Sequence, residues 1–272
     1  MDYNQTLTIG VILLYSLGSL GIFLGTLSVN RPIQKAANRI ALAGFILHTC
    51  AAAATFMTHN FPELTPAHYM RLMAWSLIFL YLCAWRWLRY PFLGLTASPL
   101  ALLLYILSMR MSDANNMLPE HLSGLFFTLH VWSLYLSLGL LTMAFGAGIL
   151  FVYMERRFKK KLPMSGFTRD LPSLGTYDRV NQIAVLAGFP LYTLGLMSGC
   201  IWAPMARAVV ENPKTLISLF IWFLYALLFY QRAALGYRGR KTAVMAVIIF
   251  AVSALSIGID HIVSHHSAQF LP

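Results

Sequence analysis

Between Ser123 and Glu155 the chain carries no Asp, Glu, Lys or Arg. That interval, LFFTLHVWSLYLSLGLLTMAFGAGILFVYM from Leu125, is about thirty apolar residues, against the ~20 that cross a bilayer as a helix. It breaks directly into ERRFKKK. His130 lies about five residues inside one end, and Arg156, Arg157, Lys159, Lys160 and Lys161 close the other. An imidazole at one membrane face and a basic anchor at the other point to a polytopic membrane protein whose chemistry faces away from the cytoplasm.

Composition agrees. Of 272 residues 58% are hydrophobic and 11% charged, where a soluble domain carries roughly a quarter charged. The net charge of +11 does not indicate nucleic acid, because the basic residues form short clusters between apolar runs, which is a topology signal. Cys50, Cys83 and Cys200 all fall inside apolar runs with no CxxC spacing, and read as small buried hydrophobes. The opening MDYNQTLT lacks a basic n-region and precedes a run long enough to span, so a first membrane helix is expected there and not a cleavable signal peptide.

The expected fold is all-α, a bundle of about eight transmembrane helices forming a single domain over residues 1–272. The spans are placed at about Thr6–Val29, Ile40–Thr58, Met70–Trp87, Phe92–Met109, Leu125–Met154, Val180–Met205, Leu216–Leu235 and Thr242–Ile262. The connections NRPIQKAANR and Glu155–Arg179, with Pro163, Pro172 and Gly175, read as loops, and VSHHSAQFLP reads as a tail. The loops after spans one, three, five and seven hold sixteen Lys/Arg, whereas the opposite side holds four: Arg71, Arg110, Arg207 and Lys214. By that asymmetry both termini face outward.

This topology sorts the eight histidines. His59, His68 and His121 fall in outer loops, where solvated side chains are the ordinary reading. His265 and His266 follow the last span, and His130 and His261 lie close to the outer ends of spans five and eight. Only His48 is deep in the bilayer. An ionisable side chain at that depth is costly and faces the bundle interior, either as a hydrogen-bonded packing group or with a functional task. Two imidazoles at one membrane face can hold a haem iron axially or form part of another metal site. Trp132, Trp202, Phe126, Phe127, Phe189 and Tyr192 populate the same outer half, where an interfacial aromatic belt is the default.

LHVWSLYLSLGLLTMAFGAGILFVYMERRFKKK and LPSLGTYDRVNQIAVLAGFPLYTLGLMSGCIWA, together with FILHTC, NFPELTPAHYMRLMAWSLIFLYLCAWRW and GYRGRKTAVMAVIIFAVSALSIGIDHIVSHHS, resemble the cytochrome c assembly family of haem-handling membrane proteins (relatives of CcsA, CcmC and CcmF) over nearly the whole chain. Within it the chain resembles more nearly the small eight-span branch that includes HemX-type proteins. The resemblance implies that His130 and His266 are the two outer-face axial ligands of a haem b, and that His48 corresponds to an intramembrane histidine. His261 is the alternative second ligand, and Trp132 and Trp202 flank the porphyrin. The family's tryptophan-rich loop corresponds here to WAPMARAVVENPKTL. That stretch keeps Trp202, Pro213, Lys214 and Thr215, has Asn212 where the family has aspartate, and lacks the central tryptophans. Tyr230 stands where the family has a second intramembrane histidine.

The function implied is binding and relay of haem near the outer face of a bacterial plasma membrane, in cytochrome c biogenesis alongside other assembly proteins. No paired carboxylates suggest an enzyme, and Asp260 is the only acid near a span end. Two other readings stand beside it. A HemX-type regulator would contact glutamyl-tRNA reductase through Glu155–Arg179. A transporter would need a discontinuous helix, hinted at by Gly188-Phe189-Pro190.

Overall fold

The computed structural model describes residues 3–28, 30–58, 66–88, 93–109, 125–163, 172–202 and 213–269; the side chains of 201–202, 213–214 and 257–269, with those of several other helix-end residues, lie outside the description. Described residues form eight α-helices in chain order: α1 Tyr3–Leu27, α2 Arg31–Thr58, α3 Pro66–Cys83, α4 Gly94–Ser108, α5 Leu125–Lys159, α6 Leu174–Trp202, α7 Pro213–Ala233 and α8 Arg240–Gln269. A single π turn, Ala84–Leu88, follows α3. The chain is a polytopic helical membrane bundle. Among the described residues α1, α2, α3, α5, α6 and α7 are long and apolar enough to cross a bilayer. The fourth span is only the 15 residues of α4, about 22 Å of helix.

Several helices extend past the limits set by counting apolar residues. The connection NRPIQKAANR is helical from Arg31, because Asn30 Oδ1 accepts the Ile33 amide at 3.2 Å and caps the new helix. Ser173 does the same for α6, accepting Thr176 N at 3.4 Å, so Gly175 is helical. The last helix runs on to Gln269 and takes up most of the expected tail. Helix α6 is continuous through Pro190, so the Gly188-Phe189-Pro190 segment does not divide it.

The bundle has two halves. In the first, α1 lies along α2 and α4, and α3 along α4. In the second, α5 and α6 form the most extensive pair, α8 packs on α5, and α7 bridges α6 and α8. Helix α5 also contacts α3 and α4 and so joins the halves. Lipid supplies no hydrophobic drive between helices, so close backbone approach carries the packing. In the α5–α6 pair, Gly188, Gly195 and Gly199 form that line of approach: a Cβ there would come within 3.1 Å, 2.6 Å and 2.6 Å of Leu141, Leu134 and His130 respectively.

Helix α5 ends where Lys161 adopts φ 50 and Leu162 N reaches back to Arg157 O at 3.2 Å. This left-handed cap sets Lys159–Lys161 at the helix terminus. Glu155 pairs with Lys159 at 2.7 Å and Arg240 at 3.5 Å, tying the end of α5 to the start of α8.

Candidate functional site

His130 is half-buried on the first turns of α5. Its ring lies edge-on against the glycine line of α6, with Nδ1 2.7 Å from the carbonyl oxygen of Gly195. A carbonyl has no proton to give, so Nδ1 is the protonated nitrogen and donates. In the neutral ring the lone pair then belongs to Nε2, the nitrogen a metal takes when the other is held by a backbone carbonyl.

Helix α8 reaches the same level. Glu155 meets Arg240, and ten residues further out on both helices the rings of Phe145 and Phe250 are 4.7 Å apart. The two helices therefore run antiparallel in step. His130 is fifteen residues out from Phe145, and fifteen residues beyond Phe250 is His265. His266 is one residue further, and His261 stops four short, about 6 Å nearer the Arg240 end of α8 at 1.5 Å per residue.

The angular position agrees as well. His130 is eighteen residues from Gly148, five full turns. Gly148 abuts Ala243 O and Val247 on α8 and lies near Asn181 on α6. His130 thus shares the face of α5 that looks into the α6–α8 junction. The backbone of α8 carries His261, His265 and His266, whose side chains lie outside the described residues. So does the side chain of Trp202, the last residue of α6, three residues beyond Gly199.

Trp132 is not brought to this place. Two residues on from His130, it turns to the other side of α5, its ring centroid 6.3 Å from that of Trp75 on α3 and nearly perpendicular to it. It joins an aromatic group in which Trp75 stacks on Phe79 at 5.4 Å and on Phe45 at 5.2 Å.

His48 is 1% exposed. It shares a 3.0 Å hydrogen bond through Nδ1 with the Tyr15 hydroxyl, and its ring meets Tyr105 edge-on with centroids 4.8 Å apart. Its Nε2 is buried with no hydrogen-bond partner among the described residues. This site lies between α1, α2 and α4, in the half of the bundle that does not hold His130. Tyr230 is 55% exposed, on the outside of the bundle. His68 sits half-buried on the first turn of α3, while His59, His121 and Asn212 lie outside the described residues. No group of three or more His, Cys, Asp or Glu converges among the described residues.

One buried centre was not foreseen from the sequence. Arg232, 1% exposed, donates from one terminal nitrogen to Asp178 Oδ1 at 2.7 Å and from the other to Asn181 Oδ1. Asp178 Oδ1 also accepts Gly239 N at 2.9 Å, and Asn181 Nδ2 donates to Ala144 O at 2.7 Å. Helices α5, α6 and α7 and the turn into α8 therefore meet at one ion pair. The spacing of Asp178 and Asn181, three residues apart on one face of α6, was the available signal.

Residues 64–259 match the family described as Cytochrome C assembly protein. The chain is 23% identical over 241 residues to the cytochrome c biogenesis protein CcsA of Mesostigma viride, covering 78% of each chain. It is 24% identical to that of Prochlorococcus marinus over 81% of this chain and 79% of the relative. To that of Chlamydomonas reinhardtii it is 27% identical, over 71% of this chain and 56% of the relative. These relatives are named for cytochrome c biogenesis, which does not favour the regulatory, glutamyl-tRNA reductase reading.

Proposed function

The chain belongs to the cytochrome c assembly protein family, and from that premise we propose that it binds haem b near the outer face of the membrane, between His130 and His266, and holds or relays it in cytochrome c biogenesis. The observation that carries this reading is the state of His130: its Nδ1 donates to Gly195 O, and its ring fills the gap at Gly199 on the side of α5 that meets α8 five turns away, at Gly148. The site fits the group on those grounds. By the same count His265 is level with His130 and His266 one residue's rise beyond it, whereas His261 is about a turn short. Trp202, which the family resemblance sets beside the porphyrin, is the last residue of α6, three residues beyond Gly199.

The chain's own part is to hold, orient and exclude. His130 and the α8 histidine would hold the haem iron through their ring nitrogens, and the apolar walls of α5, α6 and α8 would keep water from the porphyrin. When bound, haem would supply an iron whose spin and potential the protein's ligands tune. The role is binding and relay, without turnover, beside other assembly proteins in a bacterial plasma membrane.

The experiment is haem loading of the purified full-length protein, read by absorption with and without dithionite. Wild type is expected to give a low-spin spectrum. His130→Ala and His266→Ala should lose haem or turn high-spin, and added imidazole should restore the signal by filling the vacated position. Loss with His265→Ala or His261→Ala while His266→Ala is silent would move the second ligand and keep the site. A folded wild-type protein that takes up no haem overturns the function. Orientation is tested separately: a cytoplasm-active reporter fused after Lys161 should give signal, and one fused after Pro272 should not.

A further inference from the structure

Along the α5–α6 interface the α6 glycines fall at intervals of seven and four residues, Gly188, Gly195 and Gly199, and face α5 as one line. Leu141 fills the gap at Gly188 and Leu134 the gap at Gly195. The next gap outward, at Gly199, is filled by His130, whose Nδ1 and Cε1 would lie 2.6 Å and 2.7 Å from a Cβ placed there. An imidazole thus occupies the place in the series that leucine takes deeper in the membrane. Desolvating it is unfavourable unless a polar partner is provided.

Gly199 provides that partner indirectly. The residue four places along a helix carries its Cβ close to the carbonyl of the earlier turn, and leaving it out uncovers that oxygen. The uncovered carbonyl is that of Gly195, which accepts His130 Nδ1 at 2.7 Å as well as Ser198 Oγ at 3.0 Å. One missing methyl group therefore makes room for the ring and opens the acceptor that fixes its tautomer.

We propose that Gly199 and the Gly195 carbonyl form a positioning notch that holds His130 as an Nε2 ligand. This deepens the haem reading and rests on it. Gly199 is a positioning residue: it acts through His130 and touches no ligand itself.

The test uses the full-length protein in detergent, with haemin as the probe. Gly199→Ala should weaken haem binding by about 10–100-fold, the usual cost of disturbing the group that orients a metal-bound histidine. It should also convert the low-spin spectrum to high-spin, with imidazole restoring it. Gly175→Ala, whose Cβ would meet only Ser173 Oγ at 3.9 Å, should behave as wild type. A Gly199→Ala protein with the wild-type spectrum, alongside a His130→Ala protein that has lost it, overturns the notch and leaves the haem site standing. A wild-type protein that binds no haem overturns the haem reading instead. Should Gly199→Ala fail to fold, nitrogen-15 histidine spectra of the haem-free protein decide, with His130→Ala supplying the assignment. A ring protonated at Nδ1 supports the notch, and one protonated only at Nε2 overturns it.

Discussion

Arg232 and His48 are equally sealed from their surroundings, at 1% exposure each, yet the bundle treats them differently. Around Arg232 three segments bring oxygen acceptors or close the network: Asp178 and Asn181 of α6, Ala144 O of α5 and the Gly239 amide of the turn into α8. Only its Nε lacks a partner among the described residues. Around His48 the described residues make one hydrogen bond, through Tyr15, and an aromatic wall; among them half of the imidazole's hydrogen-bonding capacity is unmet. A nearly complete network fixes the mutual register of α5 to α8, the helices that frame His130. A half-met one holds α1, α2 and α4 together mostly by shape. The difference is that the second half is locked by charge and the first by packing.

The largest effect is expected from breaking the lock on one side. Asp178→Ala leaves the Arg232 guanidinium buried without its counter-ion, a change that costs about 3–5 kcal/mol. An SDS titration of the purified protein, followed by circular dichroism, should show unfolding at a much lower detergent fraction. Haem loading should fall with it, because α6 and α8 lose their common anchor. Replacing both partners, Asp178→Leu with Arg232→Met, removes the uncompensated charge and should recover most of that loss. A double variant as unstable as the single one would show that the centre acts through something other than the ion pair.

His48 is the sharper case because it separates two roles. His48→Phe keeps the ring volume against Tyr105 and removes the orphaned Nε2, at the expense of the bond to Tyr15. The two changes oppose each other, so stability should move by no more than about 1 kcal/mol. His48→Ala leaves a cavity as well and should cost more, about 2–4 kcal/mol by analogy with other large-to-small core changes. If the packing account is right, the haem spectrum of His48→Phe matches wild type at equal expression. A shifted spectrum would return His48 to the haem-linked role that the family resemblance implies.

How far these features were legible differs between the halves for physical reasons. Apolar runs located all eight helices, because a bilayer demands them. Their starts were missed where a helix continues past the charges that end the apolar count, as at Arg31 under the Asn30 cap and at Leu174 under Ser173. Arg232 falls at the end of the seventh span, and a basic residue there looks the same in sequence whether it snorkels to the headgroups or turns inward. His130 was identified from its place in the family pattern, but its orientation depends on Gly195 and Gly199, sixty-five and sixty-nine residues away. The two tryptophans looked alike in sequence. Trp132 lies two residues from His130, nearly opposite it on the helix, and that 200° turn sends it toward α3.

The smallest effect tests the comparison most finely. Tyr15→Phe deletes one hydroxyl and leaves the ring contacts with His48 and Tyr105 in place. Intramembrane hydrogen bonds are worth about 0.6 kcal/mol on average, so the SDS midpoint should shift only slightly. The variant nevertheless strips His48 of its described hydrogen-bond partner, and with it whatever fixes the tautomer. If His48 is held by packing alone, as its enclosure by Tyr15 and Tyr105 suggests, the ring stays where it is and haem loading is unchanged. A Tyr15→Phe protein of near wild-type stability that loses haem would mean that the hydroxyl orients His48 for a ligand. The first half of the bundle would then hold a site that the sealed arrangement conceals.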